Sequence, residues 1–168
     1  MAMDARELRN LFGHFATGVA VVTAKLPDGN KVGVTISSFN SISLEPELVM
    51  FSLTNTLLSL PAFESAVSYG INFLAADQQE VSRRFAVKGE DKWADTAMRH
   101  GESGAPLLDG ALAHIECSLH QRVEAGDHVI FICRVISFAT PGATKEPLVF
   151  FKGRYCGIET PAPLCQSA

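Results

Sequence analysis

The sequence predicts a mainly β protein, an antiparallel barrel with short peripheral helices, and three observations carry that prediction. At least six apolar, β-rich runs stand against two or three short helical patterns. The runs are joined by turn chemistry such as Pro27-Asp28-Gly29-Asn30 and Ala125-Gly126-Asp127, not by the long crossovers of βαβ units. The 168 residues are 47% hydrophobic and 19% charged, which suits one domain with a sizeable core and apolar surface left for self-association. That domain is expected over residues 1–160, followed by a loose tail at 161–168.

Each element has its own signal. Over residues 4–16, Leu8, Leu11, Phe12 and Phe15 fall at i, i+3, i+4 and i+7 behind Asp4 as N-cap, the stripe of an amphipathic helix. Residues 19–26 and 31–37 read as a hairpin, and Leu48 to Leu53 as a further strand. Ser59 to Ala66 reads as a short helix, with Ser59 as its cap and Pro61 in the first turn. Tyr69 to Leu74 is a strand, and Asp77-Gln78-Gln79-Glu80 resembles a capping box opening a helix through Phe85. Residues 87–106, polar around the single Trp93, read as a partly irregular surface excursion. Two long strands at 111–124 and 128–139 and a short one at 147–151 complete the chain.

Composition excludes several classes of function. A net charge of −4 without any Lys/Arg run gives nucleic acid no electrostatic hold. No apolar stretch approaches the roughly 20 residues of a membrane span. The first residues, MAMDARELRN, lack the apolar core of a signal peptide, so a cytoplasmic location is expected. Cys117, Cys133, Cys156 and Cys165 form no metal-ligand spacing, and Cys117 and Cys133 lie in apolar runs as small core residues. GxSxG, HExxH, GxGxxG and the P-loop pattern are absent from the sequence. The Glu90/Asp91 pair sits in a polar loop as solvated surface. A chain without an acid/base or nucleophile constellation can still be an enzyme if a cofactor carries the chemistry.

One stretch has polar groups that no strand core needs. Between residues 16 and 55 the β-rich runs are interrupted by Thr35, Ser37, Ser38, Asn40, Ser41 and Ser43. Short hydroxyls and backbone groups of this kind can hydrogen-bond an anionic or polar ligand. The alternative is a Ser/Thr-rich loop that satisfies its own backbone, and composition alone leaves both open.

The order of seven segments extends the reading. They are FATGVAVVT at 15–23, GVTISSFNSISLEPELV at 33–49, FSLTN at 51–55, INFLAADQQEVSRRFA at 71–86, APLLDGALAHIEC at 105–117, GDHVIFICRV at 126–135 and FFKGRY at 150–155. Together, over about residues 7–157, they resemble the flavin reductase-like family, the reductase components of two-component flavin monooxygenases. The resemblance implies an antiparallel split β-barrel of Greek-key type and a homodimer. It also implies that FMN or FAD is reduced by NADH or NADPH and that reduced flavin is handed to a separate monooxygenase.

By position, the resemblance places Gly33, Thr35, Ser37 and Ser38 against the flavin ring and ribityl chain, continued by Ser52, Leu53, Thr54 and Asn55. Ser59 would lie near the phosphate at a helix start, Arg84 would add a cation, and Phe85 an apolar wall. His128 would stand beside the ring where nicotinamide docks, in a catalytic role, and Arg154 and Tyr155 would close over that pocket. Alternation along the strand puts Ser37 and Ser38 on opposite faces, with Ser38 taken as the ligand-facing member. Asn55-Thr56-Leu57-Leu58 departs from the family's polar run, which leaves FMN against FAD open. Two rival readings stand beside the reductase. One is a flavin-binding electron carrier or sensor of the same fold; the other is an interaction module without a cofactor.

Overall fold

The computed structural model describes residues 4–89 and 91–158, so Glu90, Cys165 and the expected tail at 161–168 lie outside the described residues. In chain order the elements are α1 Ala5–Phe12, β1 Thr17–Gly18, β2 Ala20–Lys25, β3 Lys31–Ile36, β4 Asn40–Leu44 and β5 Glu47–Thr54. Then come α2 Leu60–Ser65, β6 Ser68–Phe73, a 3₁₀ turn Ala76–Gln78, α3 Gln79–Ala86, β7 Met98–His100 and β8 Pro106–Leu108. The long strands β9 Ala113–Ala125 and β10 His128–Ala139 follow, then β11 Val149–Phe151 and β12 Arg154–Cys156.

Seven strands form one antiparallel sheet in the order β3-β2-β6-β9-β10-β5-β4. The chain curls this sheet into a barrel by bending a single strand. Its first half, β3, pairs with β2, and its second half, β4, pairs with β5. The bend at Ser37–Phe39 releases the backbone from both neighbours, so the wall is split between β3 and the end of β5. Ser38 partly repairs the gap. Its hydroxyl accepts from Ser52 N–H at 3.0 Å and donates to Ser52 C=O at 2.9 Å. The β4–β5 register runs Ser41↔Val49 and Asn40↔Met50, which puts Ser38 opposite Ser52. A side chain thus replaces the backbone ladder where the bend has removed it.

Alternation fills the interior. Val49, Phe51 and Leu53 point inward from β5, and Val129, Phe131 and Cys133 from β10. Phe51 and Phe131 stack at 5.0 Å between ring centroids, with Tyr69 edge-on to both. The Cys117 thiol is held well above the ordinary thiol range by its hydrogen bond to Cys133 and by burial, and Cys133 is buried beside it in the core, as their sequence context predicts. A second cluster under α3 joins Val19, Val21, Leu74, Phe85, Leu108 and Leu148. Gly33 makes this close packing possible, because a Cβ there would enter the Phe85 ring.

Three expectations change. The first helix stops at Phe12, four residues short of 16. Gly13 caps it, and the chain leaves through bonds from His14 N–H to Leu11 C=O and Phe15 N–H to Phe12 C=O. Its apolar stripe is not buried in the chain: Leu11 and Phe12 are each 64% exposed and Phe15 78%. β4 was not expected, because Asn40, Ser41 and Ser43 interrupt its apolar Ile42 and Leu44 and the strand is largely exposed on an edge. The 87–106 excursion is partly irregular, as expected, and is held by β7 and β8 and by Trp93. The Trp93 indole N–H donates to Lys31 C=O at 3.1 Å, and its ring packs edge-on against Phe85. The capping contact sits two residues earlier: Gln78 Oε1, not Glu80, accepts from Ala75 N–H, while Asp77 pairs with Lys145.

Candidate functional site

The split is also where the polar residues converge. A hollow of about 220 Å³ lies in it, with Thr35, Ile36, Ser37 and Ser38 on one side and Ser52, Leu53 and Thr54 on the other. Leu57 and His128 close its end. Strand register explains the meeting: His128 opens β10 directly opposite Thr54, the last residue of β5. Asn55 ties the two together, its N–H donating to Asp127 C=O at 2.9 Å and its side-chain amide to Gly126 C=O at 3.2 Å.

Across the Thr35–Ser37 segment lies a second hollow of about 170 Å³, lined by Ser82 and Ala86 of α3 and by Val19, Phe150 and Tyr155. Thr35 Oγ1 donates to Ser82 C=O at 2.7 Å, and the Ser82 and Tyr155 hydroxyls lie 2.8 Å apart. These bonds hold the β11–β12 hairpin against the barrel. Its turn is tight, with Lys152 at φ 48° and Gly153 at φ 75°, both in the left-handed region that two-residue hairpin turns require. A third, larger cavity of about 690 Å³ runs between α1 and this hairpin and shares Ser37 with the other two.

His128 has a defined orientation. Its Nδ1 is 2.8 Å from Asp127 Oδ1, and because a carboxylate only accepts, Nδ1 carries the proton. Hydrogen bonding and charge from His128 hold the Asp127 carboxyl below its ordinary range, so it is ionised at neutral pH. With Nδ1 engaged by Asp127, the opposite ring nitrogen, Nε2, is the one left for a ligand.

Of the residues singled out in the sequence, Thr35, Ser37, Ser38, Ser52, Leu53, Thr54, His128 and Tyr155 line this groove. The others are placed elsewhere. Gly33 and Phe85 are buried against each other under α3, so Phe85 is core and not a groove wall. Arg84 turns away, its Nη1 donating to Thr96 Oγ1 at 3.0 Å. Ser59 precedes α2 without a side-chain capping bond, and Arg154 is exposed on β12. The two serines exchange the expected roles. Ser38 spends its hydroxyl on Ser52, while exposed Ser37 borders all three cavities. The bend after Ile36 breaks the strand alternation that predicted the opposite.

Sequence reasoning missed Ser82, Leu57, Phe150 and the orienting role of Asp127. A signal existed for two of them. Ser82 is a small hydroxyl between Val81 and Phe85 on the apolar face of α3, and Asp127 is adjacent to His128. Among the described residues no cluster of His, Cys, Asp or Glu could hold a metal ion, and no helix is long and apolar enough to cross a membrane.

Known proteins match the chain over nearly its whole length. Residues 12–159 match the model of the flavin reductase like domain. The chain is 40% identical over 166 residues to the flavin-dependent monooxygenase reductase subunit HsaB of Rhodococcus jostii, covering 96% of this chain and 84% of that one. It is 38% identical over 157 residues to a flavin reductase of Pseudomonas putida, covering 94% and 92%. Among solved structures, the NADH:FAD oxidoreductase SgcE6 of Streptomyces globisporus, in complex with NAD and FAD fragments, superposes with a TM-score of 0.86 at 34% identity, covering 99% of each chain. The split barrel and the near-complete coverage lead to one assignment: the chain belongs to the flavin reductase-like family.

Proposed function

We propose that the split between β3 and β5 is the flavin and nicotinamide site of an NAD(P)H:flavin oxidoreductase. The protein is the reductase component that supplies reduced flavin to a separate monooxygenase. The observation that carries the reading is the convergence of Thr35, Ser37, Ser52, Thr54 and His128 on one groove whose floor is apolar, from Val34, Ile36, Leu53 and Leu57. A flavin ring needs this arrangement, a flat apolar face with hydrogen-bonding groups along one edge. The residues present therefore fit the group.

Bound flavin supplies the chemistry, accepting hydride at N5 from nicotinamide C4. The chain contributes placement. The apolar floor excludes water from the reacting face, and the exposed Ser37 hydroxyl and the Thr54 hydroxyl hold the polar edge. His128, fixed by Asp127, presents Nε2 at the rim where nicotinamide enters. Tyr155, bonded to Ser82, keeps the β11–β12 hairpin over the far side. FMN or FAD is the flavin, and NADH or NADPH the reductant. A homodimer is part of the proposal, because the chain leaves Leu44 89%, Phe138 79% and Phe15 78% exposed.

The test is NAD(P)H oxidation by purified protein with FMN, FAD and riboflavin varied in turn. Saturation by free flavin supports the reductase. Flavin binding without nicotinamide oxidation would instead make the protein an electron carrier, and absence of flavin binding would end the reading.

A further inference from the structure

Asn55 has contacts that a role against the flavin does not explain. The resemblance places it there, yet it is not among the residues lining either hollow of the split, and both of its bonds reach the β9–β10 turn. That turn extends past the sheet. His128↔Thr54 is the last pair between β10 and β5, and His128↔Ala125 the last between β10 and β9. Gly126, at φ 64°, and Asp127 form the two-residue loop beyond them. Neither has a cross-strand partner, so their carbonyls must be satisfied from outside the hairpin or by water. Asn55 meets both, its N–H on Asp127 C=O at 2.9 Å and its side-chain amide on Gly126 C=O at 3.2 Å. Among the described residues no other hydrogen bond joins Gly126 or Asp127 to a part of the chain outside this hairpin. Asn55 is itself placed by a turn. Leu57 N–H donates to Thr54 C=O at 3.0 Å, which sends Leu57 to the groove and Asn55 to the hairpin.

The clamped turn is the one that carries the carboxylate orienting His128. Asp127 and His128 have side chains 92% and 45% exposed, so packing alone does little to hold them. We infer that Asn55 is a positioning residue for the hydride transfer, clamping the turn so that Asp127 and His128 keep one place beside Thr54. The inference rests on the flavin and nicotinamide reading above and deepens it, because it moves Asn55 from flavin contact to nicotinamide placement. A hairpin tip held for only part of the time presents the imbizole of His128 for only that fraction, and apparent affinity for the nicotinamide falls in proportion.

The experiment compares Asn55→Ala, which removes the side-chain bond, with Asn55→Pro, which removes both donors. Proline suits the second position of a β-turn, and Thr54 before it is already extended. Each is made alone and together with His128→Ala. KM and kcat for NADH are measured beside flavin affinity by fluorescence quenching. Asn55→Ala should lose roughly threefold to tenfold in kcat/KM for NADH, as loss of one hydrogen bond predicts, and Asn55→Pro more. Flavin affinity should stay within about twofold of the parent. In the His128→Ala background the same substitutions should cost no more than about twofold, because the residue through which they act is gone. Losses that persist in full in that background, or that come with an equal fall in flavin affinity, would make Asn55 a direct contact or a fold element and overturn the inference. Unchanged kinetics in both folded single variants would overturn it too. If the parent protein neither binds flavin nor oxidises NADH, the flavin-site reading fails first and takes the inference with it.

Discussion

Ser38 and Ser37 are neighbours with opposite duties, and substituting each in turn separates barrel closure from ligand binding. In Ser38→Ala the Ser52 N–H and C=O lose partners at 3.0 Å and 2.9 Å together. A net hydrogen bond contributes about 1 kcal/mol, and an orphaned buried group costs about 1–3 kcal/mol. Ser52 is half-buried, so water reaches part of the gap, and the expected loss is about 1–2 kcal/mol. For a domain of this size that lowers Tm by about 2–8 °C. Ser37→Leu should leave stability within about 0.5 kcal/mol, because Ser37 is exposed and makes no side-chain bond among the described residues. Its bulk would instead fill the junction of the three cavities and weaken flavin binding by at least roughly tenfold, about 1.4 kcal/mol. Urea unfolding of the ligand-free proteins and flavin fluorescence quenching give the two readouts. Unchanged stability in Ser38→Ala together with unchanged flavin affinity in Ser37→Leu would refute both the seam and the site.

Three further outcomes follow from the same coordinates. Gly33→Ala should cost about 1–3 kcal/mol of unfolding free energy, because its Cβ meets the Phe85 ring, a core clash that urea denaturation will show. His128→Ala should raise KM for NAD(P)H or lower kcat while changing flavin affinity less, as measured by steady-state kinetics beside fluorescence titration. Glu116 is 4% exposed; burial raises its pKa, but bonds from Ser103 Oγ, the Ser103 and Glu102 N–H groups and Ser137 Oγ outweigh that and hold it below the ordinary carboxylate range. A depressed folded value means the stabilisation is complete above the unfolded pKa of about 4.3 and is lost as pH falls through the folded value. Glu116→Gln should therefore be less stable than the parent at neutral pH, with the gap closing in acid, as thermal melts at stepped pH will record.

The barrel was legible because its strands have local signals. Val49, Phe51 and Leu53 alternate within one run, and the 27–30 and 125–127 turns carry their own chemistry. The region of the site was legible for a related reason, since hydroxyls crowded between apolar strands are locally unusual. What stayed hidden was set by distant parts of the chain. Gly33 is packed under α3 because Phe85, far along the sequence, fills the space above it. Tyr155 meets Ser82 across 73 residues, a pairing that no window of sequence contains. The exchange between Ser37 and Ser38 came from the bend, which resets the two-residue period on which the expectation depended. β4 escaped because a short, largely exposed edge strand whose apolar residues alternate with Asn40, Ser41 and Ser43 looks like loop.

The bend at Ser37–Phe39 links these results physically. A seven-stranded sheet that closed with a complete ladder would leave no backbone or hydroxyl free at its wall. By passing one strand from β2 to β5, the chain closes the barrel and withdraws ladder bonds at one place. That place must then be repaired by a side chain or left open to a ligand, because unpaired backbone groups are costly in a dry setting. Ser38 makes the repair and Ser37, one residue earlier, remains open. The residues that border the opening follow from sheet order alone: β3 and β5 flank the seam, and β10, paired to β5, brings His128 level with Thr54. A site at the seam of such a barrel therefore draws on residues 35–38, 52–54 and 128 whatever its ligand. In the proposed function, the hydroxyls, the apolar floor and the oriented imidazole at those positions are what a flavin and a nicotinamide would meet.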